Sequence, residues 1–193
     1  MARRAVRPAV AGFLVMLAAA CSGAGPELRP GGNGPPNTSM AGIPAVSAAH
    51  YALLGGMVLC VTGPGSAVIT AIKPIHPTGA IKVIDYATRP NPGQTGGEQL
   101  GVDYGTLRTH GFTANRTVNA QCGDGDSGQG DELGIAVSVP PGTSAGTTGW
   151  EIDYRIGDHT ASTSFPLGAI LCSTPSLHDE PCKHVWQQFG LHL

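Results

Sequence analysis

The chain has 193 residues, of which only 12% are charged, with 11 lysines and arginines against 13 aspartates and glutamates. A nucleic-acid binder needs several phosphate-neutralising side chains on one face, and a polybasic membrane patch needs them adjacent. Lys73, Lys82, Arg89, Arg108, Arg116, Arg155 and Lys183 stand singly, so neither class is expected.

The chain opens with a charged head, Arg3, Arg4 and Arg7, followed by an apolar run over residues 9–20 and then Cys21. The run falls well under the ~20 residues that span hydrocarbon, so it predicts a secretory signal over residues 1–20. Leu17-Ala18-Ala19-Ala20-Cys21 resembles the lipobox of bacterial lipoproteins, although Ala18 stands where that family usually has a larger aliphatic residue. The resemblance implies that Cys21 is lipidated and that the chain is cut just before it. The membrane is then a partner through the anchor, each buried CH2 of which adds ~0.8 kcal/mol. The other reading is cleavage at an Ala-x-Ala site, which releases a soluble protein. Losing the leader leaves eight basic residues against thirteen acidic ones, a net charge near −5.

Residues 22–49 are rich in Gly, Pro, Ser, Asn and Ala, with little apolar area to bury. They predict a disordered tether with a mean span of about 30 Å.

Residues 50–193 have the size of one domain, and their periodicity is two. In the stretch 149–156, Trp150, Ile152, Tyr154 and Ile156 alternate with Glu151, Asp153 and Arg155, a half-buried strand. Similar patterns predict strands at 57–62, 67–73, 81–88, 112–122, 133–139, 160–165 and 167–172, with an extra edge strand hidden within 99–107. Turn clusters such as Gly63-Pro64-Gly65 and Pro140-Pro141-Gly142 punctuate them. Short strands without a sustained helical stripe predict an all-β fold, an immunoglobulin-like antiparallel β-sandwich. The tail from Ser176 suits helix and strand equally; Pro181 rules out a long helix, and Trp186 and Phe189 are expected to close one end of the core.

Apart from Cys21, four cysteines remain, Cys60, Cys122, Cys172 and Cys182. An even count in an exported chain predicts two disulfides. Three pairings are possible; the expected one joins Cys60 to Cys122 and clips Cys182 to Cys172. The whole arrangement of lipobox, Gly/Pro tether and small disulfide-bearing β domain resembles exported lipoproteins of the actinobacterial type. That resemblance carries no catalytic residue with it.

Four constellations could hold chemistry. Gly142-Thr143-Ser144-Ala145-Gly146 matches G-x-S-x-G, but a nucleophile elbow needs a strand before the serine and a helix after it. Here a Pro-Pro pair precedes and a predicted strand follows, which reads as a loop. Asp124 and Asp126, in the Gly-rich stretch 122–132, could offer oxygens to Ca2+, yet Gln129 and Ile135 break the EF-hand pattern. His178 and His184 are candidate zinc or copper ligands beside Asp179, Glu180, Cys182 and His192, provided folding brings them together. Glu151 and Asp153 share a strand face, where neighbouring carboxylates usually meet only water.

The expected function is a non-catalytic binding or assembly module of the cell envelope, without a cofactor. Its partner would be an envelope protein or a small ligand met through loops at 90–110, 123–130 or 140–146. The alternatives are a metal-binding lipoprotein using the late histidines and a hydrolase acting through Ser144.

Overall fold

The computed structural model describes residues 25–31, 39–123 and 129–191. In chain order the strands are β1 (Glu27–Pro30), β2 (Ser39–Ile43), β3 (Ala52–Thr62), β4 (Ala67–Ile75), β5 (Lys82–Pro90) and β6 (Val102–Tyr104). They continue with β7 (Thr117–Val118), β8 (Asp131–Ser138), β9 (Ala145–Thr147), β10 (Gly149–Ile156), β11 (His159–Phe165) and β12 (Leu167–Leu171), before a single helix, α1 (Glu180–Gln188).

Two antiparallel sheets face each other. The first has the order β1-β3-β8-β5, with β6 also paired to β3; the second has the order β11-β10-β4-β7. The alternation of β10 sends Trp150, Ile152, Tyr154 and Ile156 inward, against Leu54, Met57, Leu59 and Val61 of β3 and Leu133, Ile135 and Val137 of β8. The result is the all-β sandwich that the period-two pattern predicts. A third, smaller sheet, β2-β12-β9, extends one end; its β2–β12 pair is parallel and joins segments from opposite ends of the chain.

The expected cysteine pairs are both present: Cys60–Cys122 with a Cα separation of 5.0 Å, and Cys172–Cys182 with 5.2 Å. In the chain-entropy picture, loops of 62 and 10 residues correspond to about 4 and about 3 kcal/mol.

Two expectations need correction. Residues 21–24, Cys21 included, and residues 32–38 lie outside the described residues, but the described part of the tether contains two strands. Glu27–Pro30 pairs along β3, and Ser39–Ile43 pairs along β12. Leu28 and Ile43 are buried, and they supply the apolar anchors that the composition average hides.

Residues 112–122 do not form one strand. The Asn115 side chain bonds Thr117 at both its N–H and its carbonyl, an Asx-type turn that competes with a ladder. Beyond β7, the Asp131 carboxylate takes the Asn119 and Ala120 N–H groups at 2.6 and 3.2 Å. Phe112 and Val118 consequently belong to different apolar clusters.

The tail resolves as a helix. Pro181 sits in its first turn, where a missing N–H costs nothing. Cys182 and Val185 are buried there, and Trp186 and Phe189 pack against the third sheet, at Gly42 and Gly146.

Candidate functional site

The most elaborate chemistry lies on the outer face of the first sheet. The predicted long connection after β5 carries the short 3-10 turns Pro92–Thr95 and Leu107–His110 and the edge strand β6, and it folds back over that face. Leu100, Leu107 and Phe112 pack there on Leu53, Ala87 and Ala136, so β8 is buried on both sides. Close approach requires small residues below: a Cβ on Gly134 would meet Leu107 at 2.7 Å and Phe112 at 2.9 Å.

A charge is buried under this layer. Glu132 is completely inaccessible, and its Oε2 accepts from Arg89 Nε, with Nη2 of the same guanidinium also at 2.8 Å. Its Oε1 accepts from the N–H groups of Gly56 (3.1 Å) and Leu100 (2.7 Å). Gly56 reaches it because β3 is bulged between Leu54 and Met57, with Gly56 at φ +71°. Gly55, beside it, leaves no room for a side chain: a Cβ there would lie 2.0 Å from the Leu100 carbonyl oxygen. Arg89 also donates to the carbonyls of His110 and Glu98 and lies 4.4 Å above the Phe112 ring. The pair thus ties the excursion, through Leu100, Glu98 and His110, to β3, β5 and β8 beneath it.

Beside it opens a cleft of about 390 Å3 lined by Asp85, Leu107, Arg108, Phe112, Thr113 and Ala114. Its floor is apolar. Asp85 on the rim faces Arg116 at 3.8 Å, and the Arg116 guanidinium covers the Tyr86 ring at 4.3 Å. Arg108 is exposed and, among the described residues, makes no ion pair. An apolar floor with one carboxylate and an available guanidinium is chemistry for orienting a small polar or anionic group. The sequence signals for it were weak, because Asp85 and Arg108 are far apart in the chain and individually unremarkable.

The residues singled out from sequence are dispersed. Ser144 lies immediately before β9, followed by a strand and not a helix, and its Oγ accepts the Ser173 N–H at 3.2 Å. His178 precedes α1 with its N–H bonded to Ser176 Oγ, and His184 lies on the helix with Nδ1 3.3 Å from Gln188. Cys182 is committed to a disulfide. Among the described residues no group of three or more His, Cys, Asp or Glu side chains is placed to hold a metal; Asp124, Asp126 and His192 lie outside them. Glu151 and Asp153 face Lys73 at 3.5 and 2.5 Å, and the hydrogen bond with Asp153 raises the lysine pKa above its ordinary value.

A second cleft of about 360 Å3 lies near them, lined by Thr70, Asp153, Tyr154, Thr160, Ala161 and Ser162. Among the described residues no helix is long and apolar enough to cross a membrane. Comparison with family models, with curated proteins and with solved structures returns no match to this chain.

Proposed function

We propose that this protein is an exported, lipid-anchored β-sandwich that serves as a non-catalytic binding or assembly module of the cell envelope, held through Cys21. The contact surface is the Asp85–Arg108 cleft, and its partner is a small ligand or the polar side chains of an envelope protein. The observation carrying this reading is the second layer over the first sheet. Two 3-10 turns, an edge strand and a buried ion pair are spent on fixing an exposed rim, and rigid positioning of loop residues is what recognition requires. The paired cysteines support an oxidising compartment, and the leader and Cys21 support the anchor.

The test has two arms. Mass spectrometry of the N-terminal peptide of membrane-extracted protein is expected to find an acylated Cys21 and no leader; an intact Met1 terminus overturns the anchoring. A photoreactive residue replacing Thr113, an exposed lining residue of the cleft, is expected to capture a defined adduct in intact cells, lost on Asp85→Ala or Arg108→Ala. The same probe replacing Arg155, on the opposite sheet, is expected to capture none. Equal labelling from both positions overturns the cleft as the contact surface.

A further inference from the structure

Sheet edges expose unpaired backbone groups, and soluble proteins blunt them with charge, proline, bulges or brevity. The other edges of the two main sheets follow this rule. β1 has four residues and carries Glu27, Arg29 and Pro30. β6 has three residues, and β7 has two. β5 bears Lys82, Asp85 and Arg89, is bulged between Val83 and Asp85, and has its Thr88 N–H taken by the Asn115 carbonyl.

β11 follows none of it. It is seven residues long, His-Thr-Ala-Ser-Thr-Ser-Phe, with no lysine, acid or proline. It pairs with β10 in unbroken register from Ile156–His159 to Trp150–Phe165 and, among the described residues, no strand hydrogen-bonds to its other edge, although β1 of the first sheet lies close to it.

The two-residue turn at Gly157 and Asp158 makes Ile156 and His159 a hydrogen-bonded pair. By alternation, His159, Ala161, Thr163 and Phe165 bond β10, while Thr160, Ser162 and Ser164 aim their N–H and carbonyl groups outward. We propose that β11 is a self-association edge: two copies of this chain pair antiparallel about a two-fold axis through Ser162.

That one register satisfies three conditions at once. It sets Thr160 opposite Ser164 and Ser162 opposite its own copy, so the outward groups of both strands meet as hydrogen-bonded pairs. It also keeps the half-buried Ala161, Thr163 and Phe165 on the inner face of both sheets and the exposed Thr160, Ser162 and Ser164 on the outer face. No two charges are opposed, and facing Ser and Thr side chains form favourable cross-strand pairs. The interface is isologous, as a closed dimer requires, and the second sheets of the two copies become continuous.

Hydrogen exchange and native mass spectrometry of the full chain in detergent test this across a range of protein concentration. A dimer is expected, with the amides of Thr160, Ser162 and Ser164 gaining protection as it forms; those of Ala161 and Thr163 stay protected throughout. Ser162→Lys sets like charges on the axis and is expected to weaken association by about tenfold or more, as is Ser162→Glu. Mixing the two variants is expected to restore a heterodimer, which a merely misfolded variant would not do. A chain that stays monomeric at every concentration, or a dimer indifferent to both variants, overturns the proposal. Protection of the three amides by a foreign polypeptide on a monomer assigns the edge to another partner and overturns it equally.

Discussion

The first sheet is covered on both faces, but the two covers are built from different materials. Its inner face meets the second sheet through Trp150, Ile152, Tyr154 and the aliphatic residues of β3 and β8, with the Asp131 carboxylate fastened at one margin by the Asn119 and Ala120 N–H groups. Its outer face is covered by a single excursion that contributes Leu100, Leu107 and Phe112 and is fastened by a buried glutamate and arginine. Burial of apolar area is non-directional, so the inner interface tolerates any well-filled set of side chains. The outer one is directional: it holds only while a carboxylate meets four donors in one geometry. Stability should therefore be global on one side of the sheet and local on the other.

The most damaging way to break the contrast is Trp150→Ala. It empties a completely buried site between the sheets, and a loss of about 3–5 kcal/mol is expected in denaturant unfolding. Exchange should rise throughout both sheets together. Glu132→Ala leaves the part-exposed Arg89 without its partner and two backbone N–H groups without an acceptor, and a cost of about 2–4 kcal/mol is expected, below that of a fully buried broken pair. Its signature should differ: exchange and proteolysis increase first over residues 91–111, while the amides of β10 remain protected. If both variants open the same segments in the same order, the two faces are one cooperative unit and the contrast fails.

Gly55→Ala sharpens the point with a single methyl group. The added Cβ would collide with the Leu100 backbone and leave the inner core untouched, so a cost of about 1–3 kcal/mol is expected. It should come with loosening of the 91–111 segment alone. Alanine at Gly101, where a Cβ meets nothing within 4 Å, is the matched control and should leave unfolding and exchange nearly unchanged.

This difference also explains what was legible in the chain. The inner face was readable because β10 and β8 write it as alternation, and the disulfide pairing followed from strand placement. The outer cover was not, because its signals are small residues and singletons. Gly134 and Ala136 read as the solvent side of a strand, but they are small because Leu107 and Phe112 press on them. Glu132 read as one more acid in a loop-rich run; nothing local marks it as buried, since its donors come from Gly56, Leu100 and Arg89. The strands within the expected tether were missed for a related reason. Leu28 is a single apolar residue between polar ones and Ile43 lies in a short run broken by Gly42 and Pro44, and only partners distant in sequence, on β3 and β12, make them strands. The candidate cleft joins Asp85 to Arg108 across the same excursion, so it inherits the same invisibility.

The smallest effect concerns the outer margin of that excursion, where β6 ends at Tyr104. The phenol donates to the Pro44 carbonyl at 2.7 Å, and the His50 ring lies 4.4 Å from its own. Burial first, and the Asp103 carboxylate second, raise the phenol pKa above its ordinary value. A raised pKa in an acid that is neutral when protonated means that the folded state holds the proton more tightly than the unfolded chain does. The contribution is then full below the unfolded value of about 10, and it is lost as pH climbs through the higher folded value. Tyr104→Phe should cost about 1 kcal/mol near neutrality, the net worth of one hydrogen bond. It should also remove part of the alkaline fall in stability measured by denaturant unfolding across rising pH. If the wild type and Tyr104→Phe lose stability in parallel above pH ~10, the phenol is not a fastening of β6, and the outer cover rests on the Arg89–Glu132 pair alone.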